Sequence, residues 1–484
     1  MKRYLFILCI SVISGVVSAR NIHVTEFGGK GDGVKDNTKS IQNSIDACSE
    51  SGGGRVTIPA GTFVTGAIVL RSNVELHLET GCLIRGSVNH PEAYAAGQGI
   101  IVAKGMENIA VTGFGQIDGQ GDHANFQRFG NNEGKRPHAI FFEDCKNVTV
   151  RDIRIFNSAW WTFRLFRCDG VTIDAIKIYT YSIVNNDGID VDARNVTISN
   201  CYIESEDDGI CMKNDDPDFP VENITITNCV VASNCNPIKF GTSSFCAFRN
   251  ITVSNCVIRR PSAGHVWDWS KEYREVPAGT KTGLAGIAVE SVVGAHIDGL
   301  TFTNITMEGI ITPIFVCLGK RRADCEIGSI KNLLFSNIYA KAEGLIPCLI
   351  SGLPGHNIDG ITLRDIVVEQ TGGGTREDAL AILPENANGY PENRMYGKSN
   401  PASGLYVRHA QNITVENFQV RTVKSDARPA VVMNDVQDAW INNLRAAAPD
   451  SDQPLIRLRS CKDIEVGRCR ISGDRKPALL VENE

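Results

Sequence analysis

No C-x-x-C pair occurs among the sixteen cysteines, so the usual zinc spacings are absent and no metal or cofactor is expected. Positive charge is not in excess: the net charge is -6, which argues against a nucleic-acid coat. Past residue 19 no apolar run reaches the roughly 20 residues that span a bilayer, so no membrane span is expected. The amphipathic helices that a TIM barrel places between its strands are missing. Gly28 to Gly33 has the glycines of a phosphate loop but neither its G-K-[ST] ending nor its strand context. Prolines number 18 and aromatics make up 7%, against 46 glycines. That balance suits a turn-rich β protein, and a 42% apolar, 21% charged chain can fill a core.

Lys2 and Arg3 precede an apolar run from Tyr4 to Val17, and Val17-Ser18-Ala19 is a small-residue cleavage site. Residues 1–19 read as a secretory signal peptide, with an exported, periplasmic or extracellular product made of residues 20–484. Cys145, Cys168, Cys201, Cys229 and Cys256 fall at or beside a recurring unit. They are expected to stack as small buried side chains and not to form a disulfide framework.

That unit decides the architecture. Asn147-Val-Thr-Val, Gly170-Val-Thr-Ile, Asn195-Val-Thr-Ile, Asn223-Ile-Thr-Ile and Asn250-Ile-Thr-Val recur, with weaker copies from Asn108, Gly299, Asn332, Gly360, Asn412 and Asp463. Each alternates apolar and polar residues with a period of two, as a half-buried strand does. A unit this short cannot bury its own face, so the units must stack. The expected fold is all-β: a single-stranded parallel β-helix of about eleven coils from near residue 55 to near 475. Asn and Gly at the unit starts suit left-handed turn positions. The same triplets match a glycosylation sequon, and their coincidence with the repeat favours the turn reading. Residues 36–48 read as a short helix with Ile41, Ile45 and Cys48 on one face, capped by Asp36 or Asn37. It belongs to a cap spanning about residues 20–55. Two insertions, 261–282 with Trp267 and 371–404 with Tyr390, break the coil pattern. Such loops on a rigid solenoid are where substrates bind.

The acids cluster on two successive units, Asn185-Asn-Asp-Gly-Ile-Asp-Val-Asp192 and Glu204-Ser-Glu-Asp-Asp-Gly209. Asp187 precedes Asp207 and Asp208 by about one coil, and stacked strands sit roughly 4.8 Å apart. Three carboxyls on one patch raise at least one pKa, leaving a protonated acid beside ionised bases. Hydrolysis of a glycosidic bond needs that pairing.

With Arg136-Pro137, Asn157-Ser158, Trp160-Trp161, Asn185-Asn186-Asp187-Gly188-Ile189-Asp190 and Asp207-Asp208 in order, the chain resembles the polygalacturonase family, glycoside hydrolase family 28. The resemblance runs from about residue 22 to beyond 420. It implies a right-handed pectin-lyase-like β-helix and metal-free, inverting hydrolysis of α-galacturonosyl bonds in pectic polymers. It makes Asp207 the general acid and Asp187 and Asp208 the groups that activate water, with Asn186 beside them. The bare coil spacing points instead toward the carboxyl separation of retaining enzymes, about 5 Å. Two departures stand out. Asn236 occupies the place of the family's Gly-His-Gly histidine, and Ala288 and Glu290 replace its Arg-Ile-Lys basic pair. A Glu there would repel a galacturonate carboxylate, so the leaving-side sugar is expected to be neutral, such as rhamnose. Lys213 and Lys239 remain as carboxylate partners. The two insertions could wall off the groove for chain-end action. The competing readings are a uronate lyase or epimerase and a noncatalytic carbohydrate-binding β-helix.

Overall fold

A computed structural model describes residues 20–126, 136–472 and 479–482; the leader assigned to residues 1–19 lies outside them. The period-two units become strands because each places Val, Ile or Leu inward at every second position. Val148, Val171, Val196, Ile224, Ile251 and Leu300 are register partners on successive strands. All are buried in one apolar core that runs from Ile22 to Leu458. Each such side chain contributes about 1.5–3 kcal/mol by leaving water. The strand pairings are parallel, apart from one antiparallel bridge between Leu353 and His356. The molecule is a parallel β-helix.

The ladder begins earlier than residue 55. Arg20–His23 pairs with Gly54–Ile58, which pairs with Val74–Leu78, which pairs with Glu107–Gly113. A further coil enters at Val431–Asn442, with Ala439 stacked on Ile413. The strands Arg20–His23, Val74–Leu78 and Val431–Asn442 escaped the repeat pattern because their inward residues are not framed by an Asn-x-Thr signature.

Residues at the unit starts take left-handed backbone: Asn108, Asn147, Asn195, Asn223 and Asn250 have φ of 51–57°. Asn tolerates this region because its short amide bonds locally. Here the amides also bond between coils. Asn147 donates to Asn108 at 2.7 Å, Asn223 to Asn195 at 3.0 Å and Asn250 to Asn223 at 2.7 Å. Where Gly170, Gly299 or Gly360 takes the turn position, the preceding Asp supplies the acceptor. Asn195 donates to Asp169, Asn332 to Asp298 and Asn412 to Asp359. The triplets are therefore turn elements, with their amides engaged in the ladder.

The expected helix spans Thr38–Glu50, two residues downstream of its predicted start, with Ile41, Ile45 and Cys48 buried. Asp36 accepts the Thr38 N–H at 2.8 Å. Asn37 instead donates to the carbonyls of Lys30 and Lys35, tying down the preceding loop. The helix packs on the strands Arg20–His23, Gly54–Ile58, Ile68–Val69 and Val74–Leu78. All fifteen described cysteines are free, and Cys201, Cys229 and Cys256 are buried on successive coils.

Candidate active site

The acids occupy turns that enter consecutive strands of one sheet: Ile189–Ser199, Ile210–Asn214 and Ile238–Ser244. Backbone bonds stack these turns. The Gly188 N–H donates to the Asp208 carbonyl and the Gly209 N–H to that of Asn236, both at 2.9 Å. A Cβ at Gly188 would come within 2.5 Å of the Gly209 carbonyl, and one at Gly209 equally near that of Pro237. Both Asp-Gly pairs are thus dictated by close backbone approach. Asp187, Asp208 and Asn236 occupy equivalent places on three coils, and Asp207 stands one residue ahead of Asp208.

Carboxylate oxygens of Asp187, Asp207 and Asp208 lie within 4.8 Å of one another. Burial, reinforced by Asp187 and Asp208, pushes the Asp207 carboxyl well above the usual range. Burial also raises Asp187, against the pull of Lys213. Lys213 Nζ is 3.0 Å from Asp187 and 3.2 Å from Asp190. Lys239 Nζ is 3.2 Å from Asp208 and 3.8 Å from Glu290. Burial opposes charge on both lysines, but Asp187 on one and Asp208 on the other outweigh it and keep them ammonium. Asn236 donates to Asp208 at 2.8 Å, in the place where the resemblance puts a histidine.

These geometries alter two readings of the sequence. Lys213 and Lys239 were expected as partners for a substrate carboxylate, but both are buried and already neutralised by the protein's own acids. Glu290 was expected to repel a leaving-side uronate. It is fully buried, accepts from Thr242, and burial pushes its pKa up to about 8. Its carboxyl is thus shifted toward the neutral form and withdrawn from solvent. Ala288 is buried as the register partner of Lys239. Among the described residues these positions supply no free cation, but neither does Glu290 form an exposed repulsive surface.

Among the other candidates, Asn186 is buried with neither amide atom hydrogen-bonded within the described residues. Tyr390 is half exposed, its ring centre 5.9 Å from Lys239 Nζ. Trp267 is partly exposed, stacked on Trp269 at 5.5 Å. Its backbone N–H is accepted by Glu206, the residue before Asp207.

Asp190, Trp161 and the His265 clamp of Glu204 and Glu206 went unassigned in the sequence. Asp190 shares Lys213 with Asp187. Its position two residues before Asp192, on the face opposite Ile189 and Val191, was the available signal. Trp161 lies 4.6 Å under the Lys213 ammonium. Glu204 and Glu206 grip His265, at 3.1 and 2.9 Å from its two ring nitrogens. They also accept N–H groups of Ser262, Val266 and Trp267, so insertion 261–282 is clamped to the strand that precedes Asp207. The insertions also meet each other. Tyr273 bonds to Asn393, Arg274 pairs with Asp378 at 2.7 Å, and Arg394 lies 5.0 Å over Trp269.

Burial pulls the His265 pKa down, but the bonds to Glu204 and Glu206 more than offset it and leave it raised. A raised histidine pKa contributes stability that is complete below about 6.5, the ordinary value. That stability is lost as pH rises through the folded-state value. Cleavage within residues 261–282 under limited proteolysis is therefore expected to accelerate above neutral pH, and His265→Gln should abolish this pH dependence. An unchanged digestion profile from pH 6 to 9 would remove the clamp's ionic character.

A family model described as glycosyl hydrolases family 28 matches residues 48–264. A probable polygalacturonase of Arabidopsis thaliana is 26% identical over 62% of this chain and 61% of its own length. An exo-poly-alpha-D-galacturonosidase of Dickeya chrysanthemi is 25% identical over 39% of this chain and 41% of its own. The chain thus spans roughly three fifths or less of these relatives. In solved structures, a hyperthermoactive exopolygalacturonase from Thermotoga maritima shares the fold. Its TM-score is 0.65 at 20% identity, covering 84% of this chain and 92% of that one.

Proposed function

We propose that the chain, whose residues 48–264 match the model of glycosyl hydrolases family 28, hydrolyses α-galacturonosyl bonds in pectic polymers or oligosaccharides. The observation that carries this reading is the convergence of Asp187, Asp207 and Asp208 within 4.8 Å, with Asp207 pushed toward its protonated form. Asp207 donates its proton to the departing glycosidic oxygen. Asp187 and Asp208, held by Lys213 and by Lys239 with Asn236, take a proton from the attacking water.

Chain-end action is supported by the contacts between the two insertions, which would let them close off one end of the groove together. A neutral leaving-side sugar, such as rhamnose, is supported by the missing cation: Lys213 and Lys239 are spent on protein carboxylates, and Ala288 and Glu290 offer none. Export through a cleaved leader, a right-handed solenoid and a helix Thr38–Glu50 that closes its N-terminal end belong to the same reading. Inversion follows the resemblance, whereas oxygens within 4.8 Å lie nearer the about 5–5.5 Å of retaining enzymes; proton NMR of the first-formed anomer decides it.

The test is kcat/KM at one pH on galacturonosyl-rhamnose oligosaccharides and on tri-galacturonate. The expected result is faster release of reducing ends from the former, without an unsaturated uronate absorbance. A clear preference for tri-galacturonate refutes the neutral-sugar reading. An unsaturated product from either substrate refutes hydrolysis.

A further inference from the structure

Beyond the acids, the groove passes Tyr390, and on that ring sits a cation the mechanism does not use. The Arg321 guanidinium lies 4.7 Å from the Tyr390 ring centre, while Lys239, the partner of Asp208, lies 5.9 Å from the same centre. The neighbouring Arg322 is paired with Asp324 at 2.6 Å. Arg321 is exposed and has no carboxylate partner among the described residues. Its backbone is fixed, with its N–H on the Val292 carbonyl at 2.8 Å and the Lys320 N–H on the Ala387 carbonyl at 2.7 Å. The second contact ties this turn to the insertion that carries Tyr390.

A guanidinium stacked on an aromatic face keeps its hydrogen-bonding edge free and preorganised for a planar anion. Because Lys239 holds Asp208 and lies beside the same ring, Arg321 is within reach of a substrate bound at the acids. We propose that Arg321 on Tyr390 is a carboxylate subsite: it binds the uronate one sugar beyond the neutral leaving residue, so the substrate class is an oligosaccharide alternating uronate and neutral sugar. This rests on the hydrolase reading above. It explains how a groove whose buried lysines are already neutralised still recognises an acidic polymer.

The experiment compares two oligosaccharides, uronate–neutral–uronate and the same molecule with its distal uronate reduced to the neutral sugar. Wild type should favour the acidic one in kcat/KM. Arg321→Ala should cut that preference about tenfold, the scale of a hydrogen bond to a charged group. Arg321→Lys should restore part of it, and Arg322→Ala should leave it unchanged. The preference should also weaken with added salt, because the cation is exposed. Equal ratios in wild type and Arg321→Ala overturn the proposal. Direct binding to the Asp207→Asn protein by calorimetry separates the two readings. If the acidic oligosaccharide binds about tenfold tighter only when Arg321 is present, but wild type cleaves nothing, the hydrolase reading falls and the subsite stands. Absence of binding, or binding indifferent to Arg321, removes the subsite.

Discussion

Asp207→Asn is expected to lower kcat on pectic oligosaccharides on the order of a thousandfold, within the usual range for removal of a general acid. The amide matches the carboxyl in shape but has no proton to give to the leaving oxygen. The fold should persist, because Asp207 takes part in no ion pair among the described residues; its side chain accepts only the adjacent Asp208 N–H. Two further results follow from proton donation. An aryl galacturonide, whose leaving group departs without protonation, should lose far less activity in the variant. In wild type the high-pH limb of kcat should report Asp207, with activity falling as pH rises through a pKa held above the ordinary carboxyl value by burial and by Asp187 and Asp208. Activity within about tenfold of wild type on natural substrate would take Asp207 out of the acid's role.

Lys213→Met is expected to cost about 3–5 kcal/mol of stability, the scale for removing one partner from a buried ion pair. The lysine is the shared cation of Asp187 and Asp190, and all three are buried. Without it two carboxyls face each other in a dry turn. Both already have raised pKa values, with burial the largest cause, and they would rise further. The penalty should therefore be largest at high pH and shrink as pH falls and the acids take up protons. Guanidinium titrations of both proteins at pH 5 and pH 8 measure it. A penalty below about 1 kcal/mol, or one that grows toward acid, would show that Lys213 is not the neutralising charge.

Much of the fold was legible because a solenoid repeats its instructions. One alternating unit predicts the inward row from Val148 through Leu300, and Asn with φ near 55° predicts the turns. The coils through Val74 and Ala439 were not legible: the Val74 strand lacks the Asn-x-Thr frame, and Ala439 fills an inward position without the β-branched side chain that marks the others. In the site, Asp187, Asp207 and Asp208 were readable from spacing alone, because one coil of sequence translates into one strand of distance. The charge balance was not. Whether Lys239 faces substrate or Asp208 depends on which neighbours share its face of the stack, and that requires the register. The His265 clamp lies 59–61 residues from its glutamates, and no local pattern shows how an insertion folds back. Insertion 371–404 is held the same way. The buried Arg408 and Arg428 donate to the carbonyls of Leu383, Pro384 and Asn400, contacts that link distant coils and leave no periodic trace.

The asparagine ladder has a direction. Asn108, Asn147, Asn223, Asn250, Asn337 and Asn443 each give their amide protons to the coil before them, to Asn73, Asn108, Asn195, Asn223, Asn304 and Asn417. The residues form two such rows five positions apart, and each position presents one acceptor to the next coil and one donor to the last, so the stack is modular in its polar contacts. A coil could be duplicated or deleted within a run without orphaning a hydrogen bond. In the row at the unit starts, the Asp-Gly pairs at 169–170, 298–299 and 359–360 mark where a run begins, since a carboxylate accepts from the following coil and has no proton to pass backward. The turns holding Asp187 and Asp208 lie on a different corner of the coil, locked by Gly188 and Gly209. They can remain in contact while the solenoid lengthens or shortens on either side.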